Sequence, residues 1–507
     1  MTTMTILPQL SNYRTILLAT PIIVGAGVYV YRCYFANKHP KFSPADPIQL
    51  KSKAISLKDK GNDLFRQKKF LEAIKLYSEA IEICPQKQTM EIAKFYQNRA
   101  ACYEQLKDFD MVIKDAGKAI ELNPKYTRAF VRRARAFESS NRLEEAIYDY
   151  YTASSINEFK DSDMMNLFSD CLDKYSHNES MKIIKKRRKI TFQKYMFKRL
   201  LDQFNRDPLR QRKKEILNDY ENSIDKLLND DDEEKLSQDD LMIKALIEMI
   251  IGKQNEGVLK LNKIIESSED IEYKVYALVK LAESAVENNK LEDSNKFLDE
   301  AEKLDPKNPN IFMIRSQVLL LSRKYDESLK ELSKTIELDP DYLSPIAQQL
   351  FIRYQQSLIL NNSEEKSKVL KEFDEYAEKY SDNNEILLLY FQVLINENDM
   401  EKSEKIIIKA IENNSEDPNL YAYRATIYIG SDRFEYAKEL LDKALKTDSR
   451  CSLAYEILSD FYSRFGNFDL SLDYLDKAIN NSTTFNDIKN FIIKKMSIVI
   501  QLKSLSV

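Results

Sequence analysis

Ala410, Ala444 and Ala478 stand at two successive intervals of 34 residues, and Ala119 and Ala153 repeat that interval earlier in the chain. A small residue recurring at such a period marks stacked units, each covering the apolar face of the next. Dividing the 507 residues into globular domains of about 150 residues then loses its meaning. Composition agrees with stacked helices. The chain has only 8 glycines and 13 prolines, too few for a fold of many tight turns. Neither G-x-G-x-x-G nor G-x-x-x-x-G-K-[ST] occurs to cradle a phosphate. The expected fold class is all-α.

Between Leu57 and Pro85, Gly61, Leu64, Ala73, Tyr77, Ala80 and Pro85 fall at the spacings of a tetratricopeptide repeat, two antiparallel helices with small residues where they touch and proline at the exit. Tyr96, Ala100, Tyr103, Ala119 and Pro124 make a second repeat, and Phe130, Ala134, Phe137, Ala146, Tyr150 and Ala153 a third. The pattern resumes with Leu261, Ile264, Ala282, Leu298, Ala301 and Pro306, and continues to Ala478. Residues 342–380 read as a distorted repeat, and 485–505 as one or two capping helices. The expected architecture is a tetratricopeptide-repeat superhelix in two arrays, 50–158 with three repeats and 241–507. Residues 159–240 lose the phase and read as a solvated, charged helical linker. They hold basic runs at Lys182–Lys189 and Arg210–Lys214 and an acidic run at Asp230–Glu234. The basic runs carry no interleaved aromatics, and the net charge is only −4, so no nucleic-acid partner is expected.

The amino terminus differs in kind. After a short tail at 1–14, Thr15–Tyr34 reads TILLATPIIVGAGVYVYRCY, near the lower length limit of about 17 residues for a transmembrane helix. Tyr29, Tyr31 and Tyr34 suit a membrane interface, and Arg32, Lys38 and Lys41 follow. By the positive-inside rule the bulk of the chain then faces the cytosol. A short anchor with basic carboxyl-side flanks suits the mitochondrial outer membrane, while hydropathy alone also allows the endoplasmic reticulum. Residues 35–49, with Pro40, Pro44 and Pro47, read as a stiff linker.

Chemistry has little to work with. Two histidines, His39 and His177, lie in polar stretches, and the five cysteines (Cys33, Cys84, Cys102, Cys171, Cys451) contain no C-x-x-C pair. No nucleophile, base and orienter are suggested by spacing, so no enzyme, metal or cofactor is expected, and the thiols are expected to be reduced.

Lys58 and Asn62 share a helix face in the first repeat, as do Arg128 and Arg132 in the third, with Asn98 between them on the second. These five groups resemble the dicarboxylate clamp of co-chaperone tetratricopeptide domains, which holds the terminal Glu-Glu-Val-Asp of Hsp70 and Hsp90. Carried over residue by residue, Lys58, Asn62, Asn98, Arg128 and Arg132 would be the clamp, with Arg128 where many such domains have lysine. Charge-assisted hydrogen bonds to two carboxylates account for the residue types.

The whole chain resembles the large tetratricopeptide receptor of the mitochondrial outer-membrane import translocase. The resemblance rests on the opening TILLATPIIVGAGVYVY, on LKDKGN, NRAACY and RAFVRRARA in the clamp repeats, and on FQKYMFKRLLDQF at Phe192–Phe204. It implies a single-pass receptor without catalysis. Its partners would be chaperone tails on the first array, precursors such as inner-membrane carriers on the second, and other translocase subunits. Groove positions of the second array include Gln392, Tyr423, Glu456 and Asp460, a mixture suited to apolar or basic segments. A membrane-anchored co-chaperone or scaffold of the endoplasmic reticulum is the alternative: the co-chaperone would share the clamp and differ in its second array, while a pure scaffold would not need it.

Overall fold

The computed structural model describes residues 46–187, 192–201, 203–229, 235–288, 290–431 and 433–505. The tail, the anchor at 15–34 and the linker up to residue 45 lie outside them, as do Cys33 and His39. Among the described residues the regular structure is helical, and no helix is long and apolar enough to cross a membrane. The chain divides into two compact units, one ending at Met165 and one beginning at Asn166.

The first unit is three antiparallel pairs: α1 (Pro47–Arg66) with α2 (Phe70–Ile83), α3 (Thr89–Gln105) with α4 (Phe109–Leu122), and α5 (Thr127–Ser139) with α6 (Leu143–Ile156). Asp46 starts α1 by accepting the Ile48 N–H at 3.0 Å, ahead of Pro47, which has no N–H to leave unsatisfied. Ala73, Ala80, Ala100, Ala119, Ala134, Ala146 and Ala153 are all 0% exposed. Small side chains at these contacts let the axes approach closely. The turn inside each pair places Lys68, Lys107 and Asn141 at φ of 63°, 58° and 57°. Left-handed backbone costs a residue with a Cβ about 1–2 kcal/mol. The chain accepts that at several turns, so a solenoid of this length manages with few glycines.

Gly61 is required for a different reason. A Cβ there would lie 2.7 Å from Cε1 of Tyr77, whose ring is 1% exposed between the two helices. Two bidentate ion pairs brace the stack one repeat apart. Arg99 Nε and Nη2 donate to Asp115 at 2.7 and 2.8 Å, and Arg133 Nε and Nη2 donate to Asp149 at 2.7 and 2.7 Å. Burial pushes the Asp149 carboxyl above its usual value, and Arg133 works against that shift.

The second unit starts within α7 (Ser162–Lys186) and continues through α8 (Lys194–Leu201), α9 (Arg210–Asn218) and α10 (Tyr220–Asn229). Seven helix pairs follow: α11 (Gln238–Ile250) with α12 (Gln254–Ser267), α13 (Ile271–Glu287) with α14 (Leu291–Leu304), α15 (Pro309–Leu321) with α16 (Tyr325–Leu338), α17 (Leu343–Ile359) with α18 (Ser363–Lys379), α19 (Asn384–Asn396) with α20 (Met400–Asn413), α21 (Pro418–Gly430) with α22 (Phe434–Thr447), and α23 (Ser452–Arg464) with α24 (Phe468–Asn481). One capping helix, α25 (Phe485–Leu505), packs on α24. Ala410, Ala444 and Ala478 are 0% exposed at the contacts where the 34-residue interval puts them. The irregular stretch after residue 342 is the pair α17–α18, where Tyr354 and Phe373 fill the core and Phe373 stacks on Tyr390 at 5.1 Å.

The reading of 159–240 as a solvated linker needs correction. Phe192, Phe197, Leu201, Phe204, Leu209, Ile216, Tyr220, Ile224 and Leu227 are buried in one core with α11 to α15. Lys182, Lys185, Lys186, Arg210 and Lys214 are exposed, while Phe197 with Leu201 on α8 and Tyr220 with Ile224 on α10 form i, i+4 pairs that face inward. From Asn166 on, the described part of the segment belongs to the second unit.

Candidate functional site

In the first unit α1, α3 and α5 are the leading helices of their pairs, and the five sequence-chosen residues lie on them. Asn62 and Asn98 meet directly, Asn98 Nδ2 donating to Asn62 Oδ1 at 3.0 Å. Tyr77 of α2 donates its hydroxyl to the same oxygen at 2.7 Å. Burial raises the Tyr77 phenol well above its usual range, so it stays a donor. With Oδ1 occupied twice, the two amide N–H groups of Asn62 remain for an acceptor in the groove.

Arg132 is held from α3. Its Nε donates to Glu104 at 2.8 Å and its Nη1 to the Gln97 carbonyl at 3.2 Å. Gln97, 3% exposed, donates to the Arg128 carbonyl at 3.0 Å, which ties α3 to α5 beside Asn98. The Arg128 side chain is exposed, and Lys58 is half-buried with its Nζ 2.8 Å from Asp59. The groove thus presents amide donors at its centre and cations on both sides, an arrangement that can receive carboxylates. Tyr77, Gln97 and Glu104 orient these groups and were not singled out as groove residues from the sequence. Tyr77 carried a signal as a repeat position, whereas Gln97 and Glu104 become visible only when helices 31 and 28 residues apart in sequence are brought into contact.

The second unit forms a cavity of about 1610 Å³, open to solvent, lined from α7, α8 and the leading helices α13, α15, α17, α19, α21 and α23 among others. Gln392, Tyr423 and Glu456 line it. Asp460 does not: it lies one turn past Glu456, and Lys494 of α25 pairs with both, at 2.9 Å to Glu456 and 2.7 Å to Asp460. Missed from the sequence were Glu385, Asp417 and Asp487, which share the lining with Arg199. Burial raises all three carboxyls, with hydrogen bonds and the Arg199 charge pulling the other way. Among the described residues seven carboxylates and two Lys or Arg side chains line this cavity, a balance that favours cationic occupants.

Family models for the tetratricopeptide repeat match residues 93–126 and 279–342. The mitochondrial import receptor subunit TOM70 of Homo sapiens is 27% identical over 420 residues, covering 76% of this chain and 69% of that protein. The subunit of the same name from Saccharomyces cerevisiae is 25% identical over 429 residues, covering 74% and 67%. The Hsp70/Hsp90 co-chaperone CNS1 of the same yeast is 39% identical over 94 residues, 18% of this chain and 24% of that one. With its repeats and a similarity that spans about three quarters of its length, the chain is homologous to the TOM70 mitochondrial import receptor subunits.

Proposed function

We propose that the chain is a mitochondrial import receptor whose first unit docks Hsp70 and Hsp90 by their carboxyl-terminal tails and whose second unit receives precursor proteins for transfer to the translocase channel. The observation that carries the docking is the oxygen of Asn62 shared by Tyr77 and Asn98, which leaves the amide N–H groups of Asn62 to meet a ligand. Lys58, Asn62, Asn98, Arg128 and Arg132 then clamp the two carboxylates of a terminal aspartate. A few charge-assisted bonds of about 1.5–3 kcal/mol each, less the entropy of ordering the peptide, give affinity near micromolar, about 8 kcal/mol. Binding should weaken as salt rises.

The acidic cavity supports the second role, since a basic amphipathic segment would find counter-charges there beside apolar walls such as Phe351, Leu388 and Phe391. Homology to import receptors supports the mitochondrial outer membrane as the address, with residues 15–34 as a single-pass anchor and the two units in the cytosol. No catalysis is involved.

The test is calorimetry of the full-length protein with a peptide ending Glu-Glu-Val-Asp. Arg132→Ala should abolish binding while the circular dichroism spectrum is retained, because Arg132 lies at the surface of the groove, 24% exposed. Equal binding by both proteins would sink the clamp. Recovery of the protein only in the endoplasmic reticulum, instead of in mitochondria and resistant to alkaline extraction, would sink the address.

A further inference from the structure

Segment 192–206 runs within the second unit and is held near both ends. Tyr220 donates to the Phe192 carbonyl at 2.6 Å, and Thr483 bonds the Gln193 side chain. At the other end Lys280, itself 2% exposed, donates to Gln203 Oε1 at 2.6 Å, and Tyr342 donates to the Gln203 carbonyl at 2.8 Å. Between these ties α8 buries Phe197 at 0% and Leu201 at 2% exposure. The helix is therefore a fixed wall of the cavity. Beside Tyr195, Met196 and Leu200 it presents charge to the cavity: Lys198 and Arg199 are exposed, and among the described residues they are the two Lys or Arg side chains of the lining.

Opposite charge is in excess. Glu283 is engaged by Lys280, and Glu456 by Lys494. Glu287, Asp382, Glu385, Asp417 and Asp487 complete the acidic lining, and none of them forms an ion pair among the described residues. Arg199 likewise forms none, although its field reaches Glu385, Asp417 and Asp487. A guanidinium that faces several carboxylates without closing a bidentate pair with any is a diffuse counter-ion.

We propose that Arg199 is a built-in counter-ion of the acidic cavity that sets its selectivity, standing in for the cation of a ligand, so that a cationic helical segment binds by sharing or displacing its field. This rests on the reading of the cavity as the precursor site. Segments with one or two cations gain little over what Arg199 already supplies, and densely cationic amphipathic segments gain most. Lys198, adjacent on the same helix, adds to the threshold.

The experiment titrates the full-length protein with a synthetic amphipathic 18-residue peptide of leucine and arginine, and with its analogue carrying glutamine for each arginine. Arg199→Gln should tighten the arginine peptide about fivefold at low salt, the size of one partly screened charge pair. It should leave the glutamine analogue unchanged, and the gain should shrink as salt is raised. Arg199→Lys should behave as wild type. Arginine-peptide binding that is unchanged or weaker in Arg199→Gln overturns the counter-ion role while leaving the cavity as a binding site. No binding of the arginine peptide by wild type or variant overturns the cavity reading itself. Because Arg199 is exposed and Phe197 and Leu201 carry the packing, the variant keeps its wall, and an unchanged melting profile checks this.

Discussion

Gly61→Ala and Gly117→Ala are the same substitution in the same unit, both inside helices, and they should have opposite effects. At Gly117 a Cβ would meet nothing nearer than Arg133 Nη1 at 3.6 Å. The gain in helix propensity is then realised, about 1 kcal/mol. At Gly61 the added carbon would sit 2.7, 3.0 and 3.1 Å from three atoms of the Tyr77 ring. That ring is enclosed by Ala73, Cys102, Leu64, Phe65, Phe70 and Ile74 and cannot swing into solvent. Overpacking of this kind costs about 1–3 kcal/mol. Displacing the ring also strains the Tyr77 hydroxyl bond to Asn62, worth about 1 kcal/mol. Set against the propensity gain, Gly61→Ala should destabilise by about 1–3 kcal/mol. It should also weaken the chaperone-tail peptide, because Asn62 loses one of the two donors that fix its amide. Urea unfolding followed by circular dichroism, with calorimetry for the peptide, measures both. If Gly61→Ala stabilises the protein as Gly117→Ala does and binds peptide normally, the Gly61–Tyr77–Asn62 chain of reasoning is wrong.

Arg99→Met strips the partner from Asp115, which is 1% exposed, and should cost about 3–5 kcal/mol in urea unfolding, whereas Arg99→Met with Asp115→Leu should recover most of it. A loss below about 1 kcal/mol in the single variant would show that the pair braces nothing. In the cavity, Glu385, Asp417 and Asp487 have folded-state pKa values raised by burial. As pH falls through these raised values the folded form takes up protons before the unfolded chain does, so the groups' contribution to stability increases on acidification toward the ordinary carboxylate range near about pH 4. The same protonation removes the charge that attracts a cationic peptide, so its affinity should already drop above that range. Affinity that holds constant from about pH 7 down to the ordinary carboxylate pKa near 4 would refute the raised values.

The periodic features were legible because they depend on neighbours one or two turns away. Ala119 with Ala153, and Ala410 with Ala444 and Ala478, each lie at 0% exposure where the interval places them, since a helix face is fixed by the 3.6-residue period and the stack by the repeat length. The positions of Lys58, Asn62, Asn98, Arg128 and Arg132 on leading helices followed from the same arithmetic. Tertiary structure decided everything that joins residues far apart in sequence. It put the charged stretch after residue 191 into a core, because burial follows the Phe197–Leu201 stripe and not the mean charge of the segment. It gave Glu456 and Asp460 a shared partner in Lys494, 38 and 34 residues on, and left Glu456 alone of the two in the cavity lining. It also gathered Glu385, Asp417, Asp487 and Arg199 around one cavity. Local periodicity states which face a side chain is on; only the superhelical path states what stands opposite that face, and electrostatic character depends on what stands opposite.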